Sequence, residues 1–179
     1  LSGADRRRYS CEVAFVGWFY SQRGQLVTSM AGLDVAVWGP GWQLPEAKPV
    51  LQAVGANSHR GHKINSRDAA RLYNVAKICV NNHHEQSVYN GLNTRSFEVP
   101  ACGGFQLVDN LRGIHELFTP GEEVVCYESY DQARELADYY LERPEERAEI
   151  GRRGRERVLR EHTYRHRMET LLESVKDLL

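Results

Sequence analysis

A segment suited to holding a phosphate runs from Gly17 to Gly24, directly after an apolar run. Gly17 lets the chain turn at the end of a strand, and a helix is expected to begin near Ser21. Free N–H groups at a helix start attract anions, and a guanidinium such as that of Arg23 can hold a phosphate. We therefore assign Gly17 and Arg23 to a predicted phosphate site. The alternative is a tight turn with a solvated arginine, and the segment alone does not decide between the two.

A second polar segment, residues 81–86, has the sequence Asn-Asn-His-His-Glu-Gln and follows another apolar run. This is too many polar side chains for a buried core, so we expect a ligand site rather than an ordinary polar loop. His83 and Glu85 are assigned to that site. The adjacent His83 and His84 point apart on an extended chain and make a poor metal pair, so we predict no metal site.

The third segment, residues 89–104, contains the most informative pattern. Gly91 permits a sharp turn, and Asn93 can cap a helix that begins there. The N–H groups and dipole of that first turn form a predicted anion site, to which Arg95 adds a bidentate contact. The predicted site comprises Gly91, Leu92, Asn93, Thr94 and Arg95.

Glu98 follows one turn after Arg95 in the same predicted helix. We place it in the ligand site; the alternative is a surface ion pair with Arg95 at the i,i+3 spacing. Pro100 removes a helical hydrogen bond to Ser96, so this helix should be short or kinked.

The elements that position these segments alternate along the chain. Near-continuous apolar strands separated by helices predict a doubly wound, Rossmann-like α/β fold with a parallel sheet, in which ligands bind at the carboxyl ends of the strands. Helical periodicity appears after Asn65 or Ser66, over residues 133–141, from Pro144 and over residues 167–179. The predicted strands are Glu12–Gly17, Leu33–Trp38, Lys77–Asn81, Phe105–Asp109 and Val124–Tyr127.

The chain of 179 residues suits one domain, which we place at residues 11–179 with residues 1–10 as a linker or terminal edge. A net charge of −1 argues against bulk binding of nucleic acid or an anionic membrane, and no apolar stretch is long enough to span a bilayer. The four cysteines form no Cys-x-x-Cys pair, and we interpret them as free thiols of a reducing cytoplasm.

The stretch Phe97-Glu-Val-Pro-Ala-Cys-Gly-Gly-Phe-Gln-Leu-Val108 resembles the nucleotide-sugar-binding motif of retaining glycosyltransferases with the two-domain GT-B fold. The common form of that motif is L-E-A-M-A-C-G-T-P-V-V. The resemblance continues upstream over residues 61–80 and downstream to residue 164, so it covers nearly the whole chain. His83-His84, together with Asn93-x-Arg95-x-Phe97-Glu98, is most similar to the CgeB-type spore-maturation branch of that family.

The resemblance implies roles for the matching positions. Glu98 accepts hydrogen bonds from the ribose hydroxyls, the turn at residues 91–94 holds the diphosphate, and Arg23 neutralises it. His62, Ile64 and the Gly39-Pro-Gly-Trp42 loop are expected near the base. The chain would thus be one half of a GT-B fold.

One position departs from the family pattern. A second glutamate usually lies eight residues before the ribose glutamate, near the donor sugar, and here that position is Asn90. Glu85 can take its place through a longer loop, so the candidate catalytic set is His83, Glu85 and Asn90. The sequence contains no Asp-x-Asp, which agrees with metal-independent transfer.

The resemblance therefore predicts the donor-binding half of a hexosyltransferase-type enzyme. Its substrate would be a UDP-, GDP- or dTDP-sugar, with no separate cofactor. The acceptor would bind an N-terminal domain that this chain lacks, so the chain alone should not transfer sugar. Loss of the sugar-proximal glutamate favours an alternative, a non-catalytic nucleotide- or partner-binding module, and a nucleotide-sugar epimerase of similar fold is a third interpretation.

Overall fold

The structure, a computed structural model, describes residues 1–84 and 91–176. Six strands in these residues form a parallel sheet in the order β3-β2-β1-β4-β5-β6. This arrangement confirms the predicted Rossmann-like α/β fold. The strands are β1 (Val13–Val16), β2 (Val35–Trp38), β3 (His59–Gly61), β4 (Ile78–Asn81), β5 (Gln106–Asp109) and β6 (Val125–Tyr127).

Helices connect the strands and cover both faces of the sheet. Those of the described residues are α1 (Gly3–Tyr9), α2 (Ser21–Ser29), α3 (Lys48–Val54), α4 (Ser66–Val75), α5 (Arg95–Ala101), α6 (Arg112–Leu117), α7 (Tyr130–Leu141), α8 (Pro144–Glu161) and α9 (Tyr164–Val175), with a 3₁₀ turn at Pro45–Ala47.

The sheet changes winding direction between β1 and β4. The chain moves outward from β1 through β2 to β3, and then returns to the other side of β1 for β4, β5 and β6. The connections therefore diverge at the carboxyl ends of β1 and β4, where an open parallel sheet leaves a crevice for a ligand. Gly17 and Asn82 are the first residues beyond these two strands.

The core lies on both faces because successive side chains of each strand point to opposite sides. Phe15 packs in a cluster that includes residues of α2, α3 and α7, whereas the neighbouring Ala14 packs in a cluster with α1, α4 and α5. Burial on both faces explains why the central strands are almost wholly apolar in sequence.

Several elements differ from their predicted bounds. The strands begin one or two residues later than predicted, and α9 begins at Tyr164 rather than at residue 167. The predicted starts of α2 at Ser21 and α8 at Pro144 are confirmed, as is the Asn65 cap of α4. Residues 1–10 include the helix α1, whose Tyr9 is buried beside Trp38; their role as a linker stays a prediction.

Helix α8 supports α5 from behind at very close range. A Cβ atom at Gly151 would lie only 2.6 Å from the main-chain oxygen of Gly103, so no larger residue fits without a backbone shift. Gly154 makes a similarly close approach to the oxygen of Glu123. The glycines of α8 therefore let this helix pack directly against the main chain that follows α5 and the main chain that precedes β6.

Candidate functional site

Asn81, the last residue of β4, connects that strand to the start of α5. Its Nδ2 donates hydrogen bonds to Asn93 Oδ1 (3.1 Å) and to Ser96 Oγ (3.3 Å). Its Oδ1 accepts from Asn93 Nδ2 (3.0 Å) and from Arg95 Nε (3.2 Å). Asn81 is 1% exposed, so these bonds are shielded from water. The turn and the Arg95 side chain are thus held at the carboxyl edge of the sheet.

His83 extends this network to β5. Its main-chain N–H donates to the Asp109 carboxylate, and its Nδ1 lies 2.7 Å from Asp109 Oδ1. On the other side its Nε2 lies 3.1 Å from Ser96 Oγ. This Asp–His–Ser chain is not a nucleophilic triad in reach of a substrate, because His83 is 4% exposed and Ser96 is fully buried. It joins β4, β5 and α5 in one rigid arrangement.

The turn before α5 is close to its predicted form. Helix α5 begins at Arg95, and the preceding Thr94 makes no side-chain cap bond. Asn93 Oδ1 accepts the N–H of Ser96, three residues on, at 3.3 Å, which is the capping contact predicted for Asn93. Pro100 lies inside a helix of only seven residues, which confirms the short helix. A helix this short contributes a weak dipole, so an anion here depends mainly on charged side chains.

Arg23 is buried rather than solvated, with 7% of its surface exposed. Its Nη1 donates to the main-chain oxygen of Trp18 (3.1 Å) and its Nη2 to that of Asn82 (3.3 Å). Its Nε has no hydrogen-bond partner in the described part of the chain. Its guanidinium carbon lies 4.9 Å from the centre of the Tyr20 ring. The solvated-turn interpretation of this segment is therefore wrong.

The guanidinium groups of Arg23 and Arg95 both lie near the aromatic ring of Phe15. The Cζ atoms of Arg23 and Arg95 each lie 5.8 Å from the centre of the Phe15 ring. Burial, together with the positive charge of Arg95, lowers the pKa of Arg23 to about 10. Burial also lowers the pKa of Arg95. Neither arginine forms a salt bridge within the described residues.

Gly17 lies beside this arginine pair. A Cβ atom at Gly17 would lie 3.0 Å from Arg95 Nη1 and 3.2 Å from the Phe15 ring. The absent side chain therefore leaves room for the guanidinium against the end of β1. Two desolvated cations that form no salt bridge in the described residues make an arrangement that an anion would neutralise.

A cleft of about 310 Å³ opens from Arg95 between α4 and α5. Ile64, Ala69 and Tyr73 supply apolar walls, and Glu98 supplies a carboxylate. Glu98 is exposed, and the salt bridges of the described residues do not include a pair with Arg95. The geometry therefore favours the ligand-site interpretation of Glu98 over the surface ion pair.

Of the residues expected near the base, some line the cleft in the structure and others do not. Ile64 lines the cleft, whereas His62 is exposed and has its Nδ1 3.4 Å from Gln43 Oε1. Trp42 is fully buried in the core, where its Nε1 donates to the main-chain oxygen of Gly17 at 2.9 Å. The Trp42 ring is covered by protein and cannot itself pack against a base, while the place of its loop near the base stays a prediction.

The candidate catalytic residues are only partly placed. Glu85 and Asn90 lie outside the described residues, and His83 is enclosed by its network. Sequence reasoning missed Asp109 and Ser96, the two partners of His83. Asp109 had one usable signal: it is the last residue of a predicted strand, at the edge where the other polar segments end.

Metal-binding clusters and membrane-spanning helices are both absent from the described residues. These residues contain no cluster of three or more His, Cys, Asp or Glu side chains that could hold a metal ion, and no helix long and apolar enough to cross a membrane. Their cysteines are free thiols, and burial raises the pKa of Cys11 and of Cys126 to about 12, so neither is a reactive thiolate at neutral pH.

Solved structures share this fold. The structure of Alr3699/HepE from Anabaena in complex with UDP and glucose matches 99% of this chain and 53% of its own, with a TM-score of 0.75 and 12% identity. The C-terminal domain of the glycosyl transferase group 1 family protein LpcC from Francisella tularensis matches 91% of this chain and 95% of its own, with a TM-score of 0.68 and 12% identity. These similarities confirm the predicted fold, one Rossmann-like half of the GT-B architecture.

Sequence comparison identifies the family. The spore protein CgeB of Bacillus subtilis (strain 168) is 28% identical to this chain over an alignment covering 78% of the chain and 46% of CgeB. The chain thus spans about half the length of this curated relative. The profile of the family described as glycosyl transferase-like matches residues 23–173. The chain belongs to the glycosyl transferase-like family, as its motif resemblance predicted.

Proposed function

We propose that this domain binds the nucleoside-diphosphate part of a sugar nucleotide. The observation that carries the proposal is the pair of desolvated cations, the buried Arg23 and the half-buried Arg95, whose guanidinium groups both lie near the Phe15 ring. A buried charge without a partner costs free energy, which a diphosphate carrying two or more negative charges would recover. The absent side chain of Gly17 leaves room for the Arg95 guanidinium at the end of β1.

The adjoining cleft suits the nucleoside. It begins at Arg95, so a diphosphate held by the arginine pair would place its ribose next to Glu98. A carboxylate accepts hydrogen bonds from two adjacent hydroxyls and donates to neither, which suits the ribose diol. The apolar surfaces of Ile64 and Tyr73 then lie where a flat base can pack.

The reaction we propose is hexosyl transfer from a UDP-, GDP- or dTDP-sugar, without a metal ion or separate cofactor. Arg23 and Arg95 would stabilise the diphosphate as it leaves, the role that a divalent metal has in other transferases. The family membership and the likeness to a protein solved with UDP and glucose support this choice. An N-terminal domain of the full-length protein would hold the acceptor, so this chain alone would bind donor without transferring sugar.

A thermal-shift panel tests the proposal directly. UDP, GDP, dTDP and ADP are each compared with their parent nucleosides, in EDTA and in Mg²⁺ or Mn²⁺. A ligand that binds only the folded state raises the unfolding midpoint. We expect one nucleoside diphosphate to raise the midpoint in EDTA, and its nucleoside to raise it much less. Binding seen only with added metal would contradict metal independence, and no shift with any diphosphate would contradict the function.

A second candidate, a non-catalytic nucleotide-binding module, is favoured by one observation. The position of the family's sugar-proximal glutamate is Asn90 in this chain. Both candidates bind the nucleotide, so binding does not separate them. The two candidates are separated by measuring whether the full-length protein releases sugar from the matching sugar nucleotide. Turnover supports the transferase, and tight binding without turnover supports the non-catalytic module.

A further inference from the structure

A second cavity, of about 480 Å³, lies across the carboxyl ends of β4, β5 and β6, away from the Glu98 cleft. The residues that line it come from three successive strand ends. They are Asn82, Asp109, Asn110, Tyr127, Glu128, Ser129 and Tyr130. None of them was assigned to a ligand from the sequence, apart from the place of Asn82 in the polar segment after β4.

The lining is rich in hydrogen-bond acceptors and has no cation. Asp109 and Glu128 bring two carboxylates, and neither forms a salt bridge with Lys or Arg in the described residues. Such a wall repels a phosphate but accepts hydrogen bonds from hydroxyl groups. Tyr127 and Tyr130 add aromatic surface, against which the C–H faces of a sugar ring can pack.

Asn82 supplies an independent sign that a ligand is expected here. It is only 7% exposed, and its Oδ1 has no hydrogen-bond partner within the described residues. Its Nδ2 donates to Tyr127 Oη on the cavity wall at 3.4 Å. A buried amide oxygen without a partner costs free energy, which a ligand hydroxyl would recover.

The same residue connects this cavity to the arginine pair. The main-chain oxygen of Asn82 accepts from Arg23 Nη2 at 3.3 Å, while its side chain lines the cavity. The Glu98 cleft begins at Arg95, on the other side of the pair. The order across the edge of the sheet is therefore apolar cleft, paired cations and acceptor-rich cavity, which matches the order of base, diphosphate and sugar in a sugar nucleotide.

From this order we infer that the cavity lined by Asn82, Asp109 and Glu128 is the subsite for the neutral, hydroxyl-bearing sugar of the donor. The inference rests on the proposed function and deepens it. Asp109 and Glu128 then do what the family's sugar-proximal glutamate does elsewhere, so Asn90 need not abolish sugar recognition. Glu128 is the better residue to test, because Asp109 also holds His83.

The test measures by calorimetry the dissociation constants of UDP, UDP-glucose, UDP-galactose and UDP-N-acetylglucosamine, or of the corresponding GDP, dTDP or ADP compounds if that base binds. Wild type is compared with Glu128→Gln and with the control Glu135→Gln on α7. Glu128 is exposed and its Oε1 accepts from Asn110 Nδ2, which a glutamine oxygen can also do, so the fold should persist. Glu135 is exposed and does not line the cavity.

We expect Glu128→Gln to weaken one sugar nucleotide about tenfold relative to its diphosphate, the effect of losing a charged hydrogen-bond acceptor. The affinity of Glu128→Gln for the diphosphate should be unchanged. Glu135→Gln should bind both the diphosphate and the sugar nucleotide with the affinity of wild type. The subsite is wrong, while the proposed function stands, if Glu128→Gln leaves the affinity for the sugar nucleotide unchanged relative to the affinity for the diphosphate. The same conclusion follows if the variant weakens both affinities equally. If wild type binds no diphosphate, the proposed function fails and the subsite fails with it.

Discussion

Arginine occurs in two opposite environments in this domain. On helix α8, Arg152 forms salt bridges with Glu149 (2.7 Å) and Glu156 (2.5 Å), and these hydrogen bonds raise its pKa. At the carboxyl edge of the sheet, Arg23 is buried and Arg95 is half-buried, burial lowers the pKa of both, and neither forms a salt bridge in the described residues. The first arrangement satisfies the charge within the protein. The second leaves charge to be satisfied by something else, which makes it the better indicator of function.

The largest effect is expected from Arg23→Met, which keeps the apolar stem against Phe15 and removes the charge. Nucleoside-diphosphate affinity should fall by about 3 kcal/mol, the upper range for a charged hydrogen bond. The free energy of unfolding should change little, because removal of a desolvated charge is offset by the loss of its hydrogen bonds to the main-chain oxygens of Trp18 and Asn82. Calorimetry and urea unfolding measure the two quantities. A large loss of stability with unchanged affinity would show that Arg23 is structural.

Glu98→Gln separates the two interpretations of that carboxylate. If Glu98 accepts hydrogen bonds from the ribose, the variant should lose about 1–3 kcal/mol of nucleotide affinity, because one acceptor oxygen becomes a donor. Its folding should be unaffected, since Glu98 is exposed in a cleft. Glu116→Gln, at an exposed carboxylate paired with Arg112 on α6, is the matched control. Equal affinities in both variants would remove Glu98 from the site.

Gly151→Ala tests whether α8 contributes to the site only through packing. The added methyl group would collide with the main-chain oxygen of Gly103, so the free energy of unfolding should fall by about 1–3 kcal/mol as in other overpacked positions. Nucleotide affinity measured well below the unfolding transition should remain within error of wild type. If the nucleotide affinity falls together with the free energy of unfolding, the packing of α8 also sets the geometry of the binding residues on α5.

The smallest effect on nucleotide affinity and stability is expected from Arg152→Gln, which changes one of the salt-bridged arginines of α8. The salt bridges of Arg152 are exposed to solvent, where such pairs contribute little to stability. The variant should keep both its unfolding midpoint and its nucleotide affinity. Its partner Glu149 has a pKa lowered to about 2 by Arg152 and Arg153, so any contribution of the group is present above its ordinary pKa and is lost as the pH falls toward 2. A large loss of stability or of nucleotide affinity at neutral pH would contradict the distinction between salt-bridged arginines and the arginine pair at the edge of the sheet.

The sheet could be predicted because its central strands are buried on both faces and so are continuous apolar runs. Strand β3 escaped prediction for the converse reason. It is an edge strand paired only with β2, and His59-Arg60-Gly61 contains no apolar run. Its main-chain hydrogen bonds, rather than its side chains, place it in the sheet.

The site was predictable where its residues are close in sequence. Arg95 and Glu98 follow the turn at Gly91 within one short helix. The turn and Arg95 indicated an anion site, and the family resemblance implied that Glu98 binds ribose hydroxyls. Contacts across the sheet were not predictable. Asp109 meets His83 because Asn81 pairs with Val108 in the register of β4 and β5, which no local pattern encodes.

The hydrogen bonds that fix the arginine pair also have a consequence for the thermodynamics of association. Arginine is a long side chain that loses much rotational freedom when it is ordered. Here Asn81 fixes Arg95, and two main-chain oxygens fix Arg23, so that entropy is lost when the protein folds. An incoming anion therefore meets side chains that are already immobile. Its binding entropy should be less unfavourable than that of a site built from mobile surface arginines.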